Sequence, residues 1–160
     1  MPTHFLPDEE GNTQRPELIN VLGVLSFINT GLFLLFYALG ALGMLALGQL
    51  PLEEFMMQVR DSAKWLNEEQ FTQMEQLMRI LHGHGAGLMG LLWLRTLLRL
   101  LGTIGIWRGY RSGFHLYAAA QLGGIFLPHL ILPLAYLGVG GPLMAVAVTA
   151  LFGTQYKRLG

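Results

Sequence analysis

The sequence predicts an all-α integral membrane protein, a four-helix transmembrane bundle with an amphipathic surface helix between its first and second spans. Three observations predict this class. The chain of 160 residues is 52% hydrophobic and only 12% charged, too apolar for an ordinary soluble domain. Its charges leave two long gaps, with no Asp, Glu, Lys or Arg from Leu18 to Leu52 or from Ser112 to Tyr156. A membrane helix needs about 20 consecutive apolar residues, so the first gap holds one span and the second holds two. A further stretch, GLLWLRTLLRLLGTIGIW at 90–107, is apolar apart from Arg95 and Arg99.

Residues 1–17, with Pro2, Pro7, Gly11 and Pro16, read as a flexible polar tail, and residues 18–160 as the transmembrane domain. The opening MPTHFLPDEEGNTQRPEL is polar and acidic, which argues against a cleavable leader. The first span, about 18–48, is longer than a straight crossing requires and is expected to tilt. An extramembrane helical segment follows at 51–79. Pro51 suits a first helical turn, and Phe55, Val59, Ala63 and Leu66 recur at the spacing of an amphipathic face, lying on the membrane or against the bundle. Asn67 and Gln70 form a capping-box pattern from which one helix is expected to run into the second span, about 80–107.

Within that span Gly83/Gly87 and Ala86/Gly90 make two small-residue ridges suited to close helix approach. The third span, about 113–137, carries Pro128 and Pro133, which are expected to kink it. The fourth, about 142–156, is short and ends at Lys157-Arg158. Level along the helices pairs the first span with the second and the third with the fourth. Four spans place Arg15, Arg108, Arg111, Lys157 and Arg158 on one side and Arg60, Lys64 and Arg79 on the other. The basic excess puts both termini in the cytoplasm.

Arg95 stands about 18 Å along the helix from Trp107, and Arg99 about 12 Å. A central arginine in a membrane helix faces the bundle and has partners, yet none of the spans supplies a carboxylate. Three arrangements are open. Arg95 hydrogen-bonds to Asn29, Gln121 and free carbonyls while Arg99 meets lipid phosphate. Alternatively both arginines pair with an anionic lipid or with a carboxylate on a partner subunit. The third is a water-filled anion path. Thr30, Thr96, Thr103 and Thr149 are further neutral groups near the same depth.

His82 and His84 begin the second span, and His129 falls at a similar level on the third. A haem b held between these helices is a geometric option. However, residues two apart on a helix point to nearly opposite sides, so His82 and His84 do not share one small site. The chain has no cysteine, which removes disulfides, thiolate metal sites, iron–sulfur ligation and c-type haem attachment. No HExxH, GxSxG or GxxxxGK[ST] motif occurs, and EEFMMQVRD lacks the spacing of an EF-hand. No metal site and no enzymatic activity are expected, and no basic soluble domain points to nucleic acid.

The stretch RPELINVLGVLSFINTG at 15–31, with RSGFHLYAAAQ at 111–121, resembles small uncharacterised four-span bacterial integral membrane proteins that begin with an RPxLLxVLxxLxFIxxG-like pattern. That resemblance implies a bacterial inner-membrane location and transfers no catalytic residue. The reading reached is a non-enzymatic accessory or lipid-binding subunit of a larger assembly, in contact with membrane lipids and with a membrane-protein partner or further copies of itself. Alternatives are a small anion transporter or channel and a haem-binding electron carrier.

Overall fold

The computed structural model describes residues 4–136 and 138–160. Five α-helices follow one another among these residues: α1 (Glu17–Leu47), α2 (Leu52–Ser62), α3 (Glu68–Arg108), α4 (Arg111–Ala118) and α5 (Gly140–Gly153). A π-helical turn occupies Ala119–Gly123, and 3-10 turns occupy Leu127–Leu130, Leu134–Tyr136 and Tyr156–Arg158. No strand forms among the described residues, where Phe5 and Leu159 make an isolated antiparallel bridge.

The helix α1 starts after Pro16, with Glu17 placed to meet the positive end of its dipole. At 1.5 Å per residue it is about 46 Å long. Its buried residues are Ile19, Gly23, Ser26 and Thr30, while Leu25, Ile28, Leu32, Leu35, Phe36 and Leu39 are all exposed. Small and polar groups face inward and large apolar groups outward, the reverse of a water-soluble amphipathic helix. The first turns of α5 show the same inversion, burying Ala145 and Thr149 while exposing Leu143, Met144 and Val146, whereas Phe152 near its end is buried in the core. Both α1 and α3 are long and apolar enough to cross a membrane.

The expected capping box starts α3. The Gln70 amide N–H donates to Asn67 Oδ1 at 2.8 Å, and the Asn67 N–H donates to Gln70 Oε1 at 3.4 Å. The helix then runs unbroken for 41 residues. It stops at Gly109, whose φ of 92° is a left-handed cap that other residues reach only with strain. Of the two settings open to α2, the described one is against its own bundle. Phe55 and Met56 are buried there, and Arg60 lies over the Phe71 ring of α3.

Antiparallel packing of α1 on α3 follows one register. Gly23 lies under the Trp107 ring, Ser26 beside Thr103, Gly40 against Met89, and Gly85 against Met44. This is the pairing expected for the first and second spans. The ridge residues differ, because Gly83 and Gly90 face open space and Gly87 is only loosely approached by Ile131. The close approaches are made by Gly85, Gly102 and Gly105.

Three further expectations are corrected. The third span is not one helix kinked at proline. Regular α-helix ends at Ala118, before Pro128, and the chain proceeds through the π-helical and 3-10 turns. Gly123 and Gly124 weaken the helix there. Leu137, at the end of that span, lies outside the described residues. The helix α4 approaches α3 more closely than it does α5. A Cβ on Gly113 would sit 2.5 Å from the Gly105 backbone, and one on Gly102 would sit 2.6 Å from the Tyr117 nitrogen. Contact with α5 comes through Tyr117 edge-on to Phe152. The segment expected as the fourth span holds the helix Gly140–Gly153, about 21 Å long and shorter than the roughly 30 Å hydrocarbon core of a bilayer.

The tail is anchored rather than flexible. Phe5 is buried with Ile19, Ile106, Tyr117, Phe152 and Leu159 in the main hydrophobic cluster. Arg15 stacks on Trp107 and donates to its carbonyl at 2.9 Å. The Arg158 guanidinium donates to Asp8 Oδ2 at 2.7 Å and to the carbonyls of Leu6, Asn12 and Gln14. Tail residues 1–3, including Pro2, lie outside the described residues.

Candidate functional site

Beyond the closed end of the bundle, α1 and α5 diverge over a cavity of about 660 Å3. One wall is α1, through residues such as Leu25, Asn29 and Phe33, and the other is α5, through Gly141, Met144, Ala145 and Val148. The floor is polar and is made by Arg95 and Arg99 of α3 with Tyr117 and Gln121 of the third segment. Helical phase explains both pairs: Arg95 and Arg99, like Tyr117 and Gln121, are four residues apart and share a side.

The two arginines find different partners. Arg99 Nη2 donates to Asn29 Oδ1 at 3.1 Å, across the α1–α3 contact. Arg95 Nε and Nη2 donate to the main-chain carbonyls of Ala120 and Gln121 at 3.4 and 3.3 Å. The Ala120 carbonyl also accepts the Gly124 N–H at 3.2 Å, so Arg95 adds a second bond there rather than meeting a free group. Arg95 also packs directly against Gly124, where no larger residue fits without displacing the guanidinium. Of the expected partners, Asn29 therefore serves Arg99 rather than Arg95, and Gln121 contributes its carbonyl rather than its amide. Hydroxyls of Thr30, Thr96, Thr103 and Thr149 bond to carbonyls of their own helices.

All these partners are neutral. Dipoles solvate the guanidinium groups, yet the cavity lining holds two positive charges and no carboxylate. Like charges one helical turn apart oppose each other by about 0.2–0.5 kcal/mol on a wet helix, and more strongly where water is excluded. Hydrogen bonding is also incomplete. Arg99 Nε, Tyr117 Oη and Gln121 Oε1 are buried without a partner, and these three residues all line this cavity. Tyr117 is fully buried and Gln121 is 6% exposed. These three atoms are covered by protein rather than open to the cavity, and the Tyr117 hydroxyl has Ser26 and Arg99 as its side-chain neighbours.

Sequence reasoning singled out Arg95, Arg99, Asn29 and Gln121, and the structure gathers all four around the cavity. It missed Tyr117 and Gly124. Tyr117 was legible as the residue one turn before Gln121, and Gly124 as half of a glycine pair inside an apolar run. The histidines do not join this site. His82 Nε2 lies 3.0 Å from the Leu50 carbonyl with its ring against Phe55, His84 is exposed, and His129 Nδ1 lies 3.3 Å from the Leu132 carbonyl. The structure brings no cluster of three or more His, Asp or Glu into metal-binding proximity among the described residues.

A smaller depression between α2 and α3 is lined by Glu53, Arg60, Glu75 and Arg79. Charges of both signs meet there, and Arg79 already bonds Glu75 at 2.8 Å. Comparison with protein-family models, curated proteins and solved structures finds no match.

Proposed function

We propose that the protein is a non-enzymatic, multi-pass protein of the bacterial inner membrane, an accessory or lipid-binding subunit whose cavity takes the anionic head of a membrane lipid. The observation that carries the reading is the charge imbalance of the cavity, where Arg95 and Arg99 face only neutral oxygens. A cationic site of this kind is costly in hydrocarbon unless an anion shares it. Phosphate or carboxylate oxygens would accept charge-assisted bonds from the guanidinium groups of Arg95 and Arg99 that line the cavity.

The membrane setting is supported by the outward display of leucine and phenylalanine along α1, α3 and α5. In this reading the chain crosses four times, at α1, α3, the broken third segment and α5. Irregular backbone is tolerated within a bilayer where it is covered by protein or lines a cavity, and Ala119–Gly123 does the latter through Gln121. The clustered termini carry the larger basic group and face the cytoplasm. Because the chain lacks cysteine, single cysteines placed at Lys157 and at Lys64 report the topology. Labelling of intact cells by an impermeant thiol reagent is expected at Lys64→Cys alone, and the reverse pattern defeats the orientation.

The lipid reading is tested by gentle detergent extraction followed by lipid analysis. Anionic lipid is expected to accompany the native chain and to be lost from Arg95→Gln/Arg99→Gln. A delipidated, stable monomer with the native arginines would sink it. The break beside Arg95 favours a second reading, an anion pathway, and flux in proteoliposomes that vanishes in Arg95→Ala would establish that reading instead.

A further inference from the structure

Far from the cavity, α2 and the first turns of α3 form a helical hairpin. Its base is fixed at His82, whose Nε2 lies 3.0 Å from the Leu50 carbonyl and whose ring rests against Phe55. From there α2 runs antiparallel to α3, so that Arg60 reaches the Phe71 ring. In the membrane reading above, the stretch of α3 between Arg79 and Arg108 is about 42 Å long, the full thickness of a bilayer with its headgroups. Residues 68–79 therefore project about 18 Å into water, on the face opposite the termini.

Two large apolar side chains on this projection are bare. Trp65, in the turn at its tip, is 81% exposed, the most of any large hydrophobic residue among those described, and Met57 on α2 is 62% exposed. Beyond the headgroups these side chains have no lipid to meet, and tryptophan and methionine are enriched where proteins bind one another. Met57 also belongs to the groove of about 300 Å3 between the two helices, with Met56 and Phe71 as its other apolar lining and Glu53, Arg60 and Glu75 among its charges. An apolar centre with a charged rim is the anatomy of a protein interface.

Size and charge narrow the occupant. At about 30 Å3 for each water-sized group, the groove admits about ten non-hydrogen atoms, or two to three aliphatic side chains. It follows α3 from Phe71 to Arg79, about 12 Å, which matches two turns of a helix laid along it. Residues 51–79 hold six acids and three bases, and Glu53 makes no ion pair among the described residues. A second copy would bring the same negative excess and be repelled, whereas a basic partner is attracted.

Resting on the membrane reading, we infer that this hairpin is the docking surface for an amphipathic helix of another protein outside the bilayer, apolar on one face and basic along its flanks. Its aliphatic side chains fill the groove at Met57, its bases meet Glu53 and Glu75, and the partner's surface covers Trp65.

The test places the photo-crosslinking residue benzoylphenylalanine at Met57 of the full chain in its native host and sequences the cross-linked peptide by mass spectrometry. One adduct with a different protein is expected, through a segment with aliphatic residues at helical spacing and an excess of lysine and arginine. Trp65→Ala is expected to lower its yield about tenfold. Glu53→Gln/Glu75→Gln is expected to lower it about fivefold. Amide exchange at Phe55 and Met56 is expected to stay native in both, so that lost binding is not mistaken for a lost fold. The same crosslinker at Leu35, exposed on α1, is expected to give lipid adducts.

An adduct with a second copy of this chain overturns the inference, as do lipid adducts at Met57, an acidic partner segment, no adduct at all, or a yield unchanged in either variant. Each of these leaves the membrane reading standing. Release of the chain from membranes by alkaline carbonate, with no lipid adduct at Leu35, overturns that reading and this inference together.

Discussion

The two ends of the bundle are built from the same helices and differ in what the third segment does between them. At the end that holds both termini, α4 is regular, its Gly113 backbone rests on Gly105, and Phe5, Ile19, Ile106, Tyr117, Phe152 and Leu159 close a dry core. One turn further on, the helix gives way at Ala119, carbonyls swing toward Arg95, and α1 and α5 part over the cavity. Tyr117 belongs to both regions, its ring packed on Phe152 and its fully buried side chain beneath the floor of the cavity. The difference teaches that the open region is held in shape by the closed one. A site built from irregular backbone keeps its geometry only when rigid elements fix its first residues.

The sharpest way to break the comparison is to pry the closed end apart. At Gly105 a Cβ already meets the Gly113 backbone at 2.6 Å, so Gly105→Leu forces two helices to separate rather than one side chain to turn. Overpacking against backbone is expected to cost about 3 kcal/mol or more, read as a large fall in the midpoint of thermal unfolding in detergent. Gly90, on the same helix, faces open space. Gly90→Ala is expected to be neutral or mildly stabilising, by up to about 1 kcal/mol from helix propensity. Equal damage at both positions would mean that the crossing at Gly105 is not what holds the closed end.

Next in size is removal of the guanidinium that meets the helix break. Arg95→Met relieves like-charge repulsion toward Arg99 but strips the Gln121 carbonyl of its side-chain donor, while the Ala120 carbonyl keeps the Gly124 N–H. An unmet buried acceptor costs about 1–3 kcal/mol. The loss is expected locally, as faster amide exchange over residues 119–130 with unchanged protection at Ile19 and Ile106. Uniform loosening of the whole chain would show instead that the two ends unfold as one unit.

The same division marks what the sequence disclosed. The long α1, the capping box at Asn67 and the uninterrupted α3 were legible because each rests on local pattern: unbroken apolar runs and a polar cap three residues from its partner. The site's residue types were legible too, since charge in an apolar run is conspicuous. The break at Ala119 was not, because proline at 128 gave a louder local signal than the glycine pair at 123 and 124, and the arginine that bonds the carbonyls there comes from another helix. The tail was misread for the same reason. Its composition suits a coil, and the groups that hold it, Trp107, Arg108 and Arg158, lie more than 90 residues away in sequence.

A smaller effect distinguishes polar glue from packing at the α1–α3 seam. Ser26 Oγ and Thr103 Oγ1 lie 3.0 Å apart and buried. Interhelical hydrogen bonds of this kind contribute about 0.6 kcal/mol on average. A double-mutant cycle of Ser26→Ala and Thr103→Ala is expected to return a coupling of about that size in unfolding free energy. A coupling of zero would remove the Ser26–Thr103 bond from what holds the seam and leave it to the glycine contacts at Gly23, Gly40 and Gly85 and the Arg99–Asn29 bond.

The smallest expected effect lies at the tail clasp, and it depends on pH. The Asn12 main-chain N–H and the Arg158 guanidinium hold the Asp8 carboxyl below its ordinary value. A carboxylate depressed on folding stabilises the folded arrangement fully above its unfolded value, near about 3.9. That contribution is lost as pH falls through the lower, folded value. The tail is therefore expected to stay clasped at pH 7 and to loosen under acid, seen as faster proteolysis or amide exchange over residues 4–14. Asp8→Asn is expected to remove the acid response while leaving a partly held tail, because Arg158 still donates to the carbonyls of Leu6, Asn12 and Gln14. Arg158→Gln removes all of these side-chain bonds at once and is expected to loosen residues 8–14 at every pH, while His4 and Arg15 keep their bonds to Arg108 and Trp107. Since Phe5 sits in the closed core beside Leu159, a tail that remains protected in Arg158→Gln would show that burial of one phenylalanine, not the clasp, ties the termini to the rigid end.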